Sequence, residues 1–269
     1  LFINYGDPVA KVIAVCNQKG GVGKTTTSIN LSACLAAAER KTLIVDMDPQ
    51  SNATTGLGFD KSSLDASLYD VLTSENDSQE SIQLKDIILH CESIKFLDIA
   101  PASPDLAGAE VELVNTIARE KRLSNAINSV RDLYDYVIID SPPSLGLLTV
   151  NVLTSADSVL IPIQCEYYAL EGLAELLNTV RLVQKNLNPN LLIEGALLTM
   201  FDNRLNLSRQ VAEDVRSCFS GKVFDVLITR NVKLSEAPSF GKPIILYDIM
   251  CSGAENYLNL AKEIMQNEQ

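Results

Sequence analysis

The chain has 269 residues, is 46% hydrophobic and 21% charged, and carries a formal net charge of −12, which suits one large α/β domain or two small ones; we expect a single domain over 1–269. No apolar run approaches the roughly 20 residues needed to span a bilayer, and the first ten residues, expected to be a short N-terminal extension, contain neither a basic nor an apolar leader segment, so a cytoplasmic protein is expected. The acidic balance argues against indiscriminate nucleic-acid binding by the chain as a whole.

Apolar, β-rich runs recur along the chain at 12–16, 42–45, 96–99, 136–139, 158–163, 193–199 and 223–228, with helical segments between them. Continuous apolar strands need cover on both faces. The fold class expected is therefore α/β, a P-loop NTPase-like three-layer α/β/α arrangement with a mostly parallel twisted sheet flanked by helices, and ligands at the carboxyl ends of the strands.

After the first run stands Lys19-Gly20-Gly21-Val22-Gly23-Lys24-Thr25-Thr26. An ordinary phosphate-binding loop has glycines that let backbone N–H groups face the phosphates, a lysine on the β/γ oxygens and a hydroxyl for Mg²⁺. Here Gln18 replaces the first glycine and Lys19 follows it. A second lysine is superfluous for gripping one nucleotide, so Lys19 is read as reaching a phosphate bound by another subunit. The segment 24–38, free of proline and rich in alanine, leucine and isoleucine, is expected to be a buried helix with its N-terminus at the phosphates.

Further along, Asp46 and Asp48 end the second strand and Asp140 ends the fourth. A carboxylate just past a parallel strand can take a Mg²⁺-bound water, and a second can orient an attacking water. The polar stretch 73–81 reads as a mobile surface loop. The only histidine, His90, looks like part of a helix end and is read as structural. The six cysteines, at 16, 34, 91, 165, 218 and 251, have no C-x-x-C spacing and are read as free thiols. Between Gly195 and Tyr247 seven basic residues face five acidic ones, a local excess of +2 in an acidic protein. At the end, Ala254, Tyr257, Leu258, Ala261, Ile264 and Met265 follow the spacing of a core-packing helix. The opposite face carries Lys262 beside Glu255 and Glu263, so a membrane-binding helix is not expected.

The loop 19–26, Asp46-Met47-Asp48-Pro49-Gln50, Ile139-Asp140-Ser141-Pro142-Pro143 and the run 230–239 (RNVKLSEAPS) together resemble the ParA/Soj family of chromosome- and plasmid-partitioning ATPases, from Lys11 to about Leu260. The early lysine is shared with the wider group that includes MinD and the nitrogenase iron protein. The resemblance implies ATP and Mg²⁺ as ligands and slow hydrolysis to ADP and phosphate. Lys24 and the backbone of Gly21, Val22, Gly23, Thr25 and Thr26 would hold the phosphates, and Thr25 the metal, with Asp140 holding it through a water and Asp46 beside it. Asp48 would orient the attacking water. Lys19 would act across an ATP-dependent homodimer, with Gly20 where two loops face closely. The base would lie near Met200, Asp202, Asn203, Arg230 and Asn231. The resemblance further implies binding of the dimer to double-stranded DNA without sequence preference. Arg204 and Lys233 are the best-matched cations, with Arg230, Lys222, Arg209 and Lys242 as neighbours. A ParB/Spo0J-like partner would stimulate hydrolysis, and the protein would be nucleoid-associated. With only about ten residues before the first strand, no N-terminal helix-turn-helix domain is expected. The MinD-like alternative, a membrane-cycling ATPase, wants a basic amphipathic C-terminal helix. An iron-protein-type reductase wants cysteines in Gly-rich loops, where Cys91 and Cys165 do not lie, and a ligase of the dethiobiotin synthetase type would turn over without DNA.

Overall fold

The computed structural model describes residues 9–74, 81–166 and 171–266. Among the described residues seven strands form one sheet: β1 (Lys11–Val15), β2 (Thr42–Asp46), β3 (Leu89–His90), β4 (Leu97–Ala100), β5 (Tyr136–Asp140), β6 (Ser158–Gln164) and β7 (Leu192–Thr199), in the order β3-β4-β2-β5-β1-β6-β7. All pairings are parallel except β3 with β4. The helices are α1 (Lys24–Ala37), α2 (Asn52–Gly56), α3 (Leu68–Thr73), α4 (Leu84–Ile87), α5 (Leu106–Glu112), α6 (Arg122–Asn128), α7 (Leu147–Ser155), α8 (Glu171–Asn186), α9 (Asn206–Cys218), α10 (Val232–Glu236), α11 (Ile244–Tyr247) and α12 (Ser252–Gln266).

Side chains that alternate along each strand fill two separate apolar layers. Val12, Ala14, Val137 and Ile139 pack with Leu106, Leu123, Val152 and Leu176 on one face. Ile13, Val15, Tyr136 and Ile138 pack with Leu31, Leu35, Tyr257 and Leu260 on the other. With both faces covered, period-2 alternation of polarity is absent, which is why the strands read as unbroken apolar runs. The consequence for the site lies in the register. β5 sits between β1 and β2, and Asp140 pairs with Asp46 on one side and with Val15 on the other. The end of β1, from which the glycine-rich loop departs, therefore lies beside both carboxylate-bearing ends.

Three expectations need correction. The run 223–228 is not a strand: Val223 forms an isolated bridge with Ala196 of β7, and Phe224 N on Ala196 O at 3.0 Å and Ile228 N on Leu198 O at 2.9 Å tie its two ends to β7 without a continuous ladder. In its middle the amides of Asp225 and Val226 turn to the Glu263 carboxylate on α12, both at 3.4 Å, rather than to a neighbouring strand. The seventh strand is instead the two-residue β3, and His90 lies on it rather than at a helix end, with Nδ1 2.7 Å from Asp98 Oδ1. On α12, Leu258 is 38% exposed and Leu260 takes the buried position. The six cysteines are free, five of them buried and Cys218 exposed. In the polar stretch 73–81, residues 75–80 lie outside the described residues.

Candidate functional site

The loop between β1 and α1 is fixed from below before any ligand enters. Ser141 Oγ donates to Val15 O at 2.8 Å, Asn17 Nδ2 to Pro162 O at 2.7 Å and Thr199 Oγ1 to Val22 O at 2.8 Å, tying the loop to β5, β6 and β7 in turn. Gly21 and Gly23 have φ of 73° and 90°, left-handed conformations that disfavour any side chain. Gly20 is exposed, and a Cβ there would meet nothing within 4 Å of its own chain. α1 starts immediately after Gly23, so its first amides, which have no helical partner, open onto the loop.

Lys24 is 7% exposed and its Nζ donates to Lys19 O at 3.1 Å. Burial lowers its pKa, against which the negative charge of Asp140 works most strongly. Asp140 is wholly buried; its Oδ1 accepts from Ser28 Oγ at 2.9 Å, while Oδ2 has no hydrogen-bond partner among the described residues. Burial, reinforced by the charge of Asp46, pushes the Asp140 carboxyl well above the usual carboxylate range, and the hydroxyls of Thr25 and Ser28 pull it part of the way back. Burial also raises Asp46.

Asp46 and Asp48 differ in what they leave free. Asp46 Oδ2 accepts from Thr54 N at 2.8 Å and Thr54 Oγ1 at 2.7 Å, and Oδ1 from Asp48 N at 3.2 Å. That commitment suits a group that sits beside the metal, the place expected for it, and orients the Asp48 backbone rather than binding the ion directly. Among the described residues the Asp48 carboxylate accepts only the turn amide of Gln50, at 2.9 Å, and it lines a cleft of about 300 Å³ with Gly20, Gly21, Lys24, Thr25 and Pro143.

A divalent cation fits this arrangement. Two buried carboxylates in adjacent register, one with an orphaned oxygen, lack positive charge beyond Lys24, and the Thr25 hydroxyl opens on the same cleft. Among the described residues no group of three or more His, Cys, Asp or Glu side chains could enclose a metal. The donor set therefore suits an ion that keeps waters and shares a phosphate, as Mg²⁺ does.

A second cleft of about 100 Å³ shares Gly23, Thr26 and Met200 with the first. Met200, Arg230 and Asn231 line it as expected, whereas Asp202 and Asn203 line neither cleft. Asn231 shapes the wall but offers no free amide group: it caps α10 through Lys233 N at 2.9 Å and donates to Ser252 Oγ at 3.0 Å. Sequence reasoning missed Leu234 and Tyr257 in this lining. The helical spacing marks Tyr257 only as core; its buried hydroxyl needs a partner and finds Thr27 Oγ1 at 3.1 Å, beside the loop.

The cations of the later stretch are not bare. Arg204 is paired in two-point fashion with Asp202, at 2.9 and 2.7 Å, although its side chain is 87% exposed. Lys233 pairs with Asp248, Lys222 with Glu263 at 3.0 Å, and Arg230 with Glu166 at 3.5 Å. Arg209 donates to Asn206. Lys242 is exposed and holds no ion pair among the described residues. Three carboxylates from outside 195–247, Asp248, Glu263 and Glu166, more than offset the local excess of +2, in which Asp202 is already counted. Lys19 lines neither cleft; its Nζ lies 3.9 Å from Glu166 Oε2. None of the described helices is long and apolar enough to cross a membrane.

A family model described as an AAA domain matches residues 10–193. The sporulation initiation inhibitor protein Soj of Bacillus subtilis (strain 168) is 58% identical over 259 residues, covering 96% of this chain and all of the relative. The chromosome partitioning protein ParA of Myxococcus xanthus (strain DK1622) is 56% identical over 260 residues, covering 97% of this chain and 89% of the relative. Among solved structures, cobyrinic acid a,c-diamide synthase of Mycobacterium smegmatis with bound ADP and magnesium superposes with a TM-score of 0.83 at 35% identity, covering 96% of this chain and 95% of the other.

Proposed function

This chain belongs to the Soj/ParA family of partitioning ATPases, and on that premise we propose that it is a slow, Mg²⁺-dependent ATPase whose ATP-bound dimer binds DNA without sequence preference and lets go on hydrolysis. The observation that carries the chemistry is the pairing of Asp46 with Asp140 beneath the glycine-rich loop, with Asp140 Oδ2 unpartnered and Lys24 at hand.

In this reading Lys24 and the first amides of α1 hold the β- and γ-phosphates, and Thr25 and Asp140 hold the metal. Bound Mg²⁺ supplies neutralisation of charge on the phosphate oxygens. Asp48, the carboxylate with capacity to spare, orients the attacking water, and Asp46, anchored by Thr54, keeps Asp48 in place. The nucleoside occupies the second cleft, against Met200 and Arg230. Lys19, which lines neither cleft of its own chain, reaches the phosphates held by a second copy. Its arrival completes charge stabilisation at the transition state, so hydrolysis depends on dimerisation.

The same event assembles the DNA surface. Arg204 and Lys233, with Arg230, Lys222, Arg209 and Lys242 as neighbours, exchange their carboxylate partners for DNA phosphates, and a dimer presents two such sets. A ParB/Spo0J-like centromere-binding partner accelerates hydrolysis, and the protein works in the cytoplasm on the nucleoid as one P-loop ATPase domain. The amide-forming enzyme among the structural relatives stands at 35% identity against 58% and 56% for the partitioning relatives, which favours the partitioning role. DNA binding measured with ATP, ADP or no nucleotide across a salt series tests it. Binding that requires ATP, ignores sequence and weakens steeply with salt is expected, whereas binding indifferent to nucleotide, or no binding at all, contradicts it.

A further inference from the structure

Of the two lysines in the glycine-rich loop, Lys24 enters the cleft and Lys19 does not. The Lys19 backbone is held at both ends, its N–H on Asn17 Oδ1 at 3.0 Å and its carbonyl by Lys24 Nζ at 3.1 Å. Its side chain comes to rest with Nζ 3.9 Å from Glu166 Oε2, just past the end of β6. Glu166 is held in place by other groups. Its Oε1 accepts from Gln164 Nε2 at 2.7 Å and faces Arg230 Nη2 at 3.5 Å. An anion is therefore fixed beside Lys19 by neighbours that do not depend on Lys19.

To an ammonium group, a carboxylate oxygen and a phosphate oxygen present the same chemistry, a negatively charged acceptor. We infer that Glu166 is a placeholder for the phosphate of a second copy's nucleotide, holding Lys19 on its own subunit until an ATP-bound copy displaces it. The inference rests on the proposed action of Lys19 across the dimer and adds the residue that sets its threshold. When Lys19 leaves, Glu166 keeps Gln164, and Arg230 until DNA takes it, so it is not stranded without partners. The side chains of Lys19 and Glu166 are 34% and 48% exposed, so each pair is weak and screened by salt. A symmetric dimer breaks two of them, so the weak contact enters the association constant twice. Glu166 on this account tunes the concentration at which dimers form and takes no part in holding the nucleotide's phosphates.

The test is sedimentation velocity over a protein concentration series, with Mg²⁺ and a non-hydrolysable ATP analogue, at low and high salt. Glu166→Gln keeps an acceptor for Gln164 and Arg230 but removes the charge, and the dimer dissociation constant should fall roughly three- to tenfold at low salt, with the gain vanishing at high salt. Glu166→Asp, which withdraws the carboxylate by one methylene, should shift the constant the same way by less, and it answers the question should the glutamine variant fail to fold. Glu213→Gln, an exposed charge change on α9, should leave the constant unchanged, separating the latch from the general effect of net charge. Lys19→Gln fixes the frame. If it stays monomeric while the Glu166 variants dimerise no more tightly than the unaltered protein, the placeholder is overturned and the trans-acting lysine stands. If Lys19→Gln dimerises normally, the trans-acting lysine fails and the placeholder with it.

Discussion

The carboxyl ends of β2 and β5 and the cationic stretch after β7 hold charge in opposite ways. At the strand ends, Asp46 and Asp140 are fully buried, face each other in register and are short of positive charge. After β7, Arg204, Lys222, Arg230 and Lys233 lie at or near the surface and already have carboxylate partners. Buried, under-compensated charge makes a site that needs a ligand, and each group there acts strongly because water cannot screen it. Exposed, pre-paired charge makes a surface that exchanges partners, where each group contributes a little and many must act together. Substitutions should divide the same way.

The largest effect is expected at Lys24. Lys24→Ala removes charge-assisted bonds to phosphate from a buried position, and nucleotide affinity should fall on the order of 100-fold in a fluorescence or calorimetric titration. Unchanged affinity would remove the distinction between the two regions at its root.

Next is Asp48→Ala. Phosphate release should slow by about 10²- to 10⁴-fold, while ATP-dependent DNA binding persists, because the variant lacks the water-orienting carboxylate but keeps the loop and Lys19. Normal turnover would move that role to another group.

Asp140→Asn sharpens the comparison through pH. Burial and the charge of Asp46 raise the Asp140 carboxyl in the folded state, so across the window from the ordinary carboxylate range up to the raised value the folded protein binds more protons than the unfolded chain. Stability of the nucleotide-free protein thus falls as pH rises through that window and stays lower above it. Asparagine cannot ionise. With chelator present and no nucleotide, the variant's Tm should exceed that of the unaltered protein by a few degrees at alkaline pH, and the gap should close toward pH 4 in scanning calorimetry. An equal or lower Tm at high pH would show that the buried carboxylate is already compensated within the fold.

The smallest effects belong to the cationic stretch. Arg204→Ala should weaken binding to all DNA sequences alike and lower the salt slope by about 0.9 for each phosphate no longer neutralised, hence nearly two per dimer. Asp202→Asn should act in the opposite direction, tightening binding less than about threefold, because it releases Arg204 from its present partner. A sequence-dependent loss in Arg204→Ala would mean that the arginine reads bases and would break the comparison on this side.

The two regions also differ in how far the sequence reveals them. Strand-end carboxylates and the glycine-rich loop are local patterns, and parallel pairing brings them together without further information, so Lys24, Thr25 and Asp48 line one cleft, with Asp140 buried below α1 on Ser28. The base cleft is half legible: Met200, Arg230 and Asn231 line it, but Tyr257 arrives from a helix whose spacing speaks only of core packing. The counter-charges are not legible. Glu263 comes to Lys222, Asp248 to Lys233 and Glu166 to Arg230 from remote segments, and composition counts charges without saying which of them meet. The run 223–228 misleads because apolar content alone does not reveal that Glu263 captures the amides in its middle.

Lys19 is the proposed link between the regions, since it belongs to the nucleotide loop by sequence and touches, through Glu166, the pair that holds Arg230. The most direct measurement is the ATP-dependent DNA binding of Lys19→Gln, made alongside its nucleotide affinity. Nucleotide affinity should stay close to that of the unaltered protein, with DNA binding abolished. DNA binding that still requires ATP and is undiminished in this variant would contradict that link.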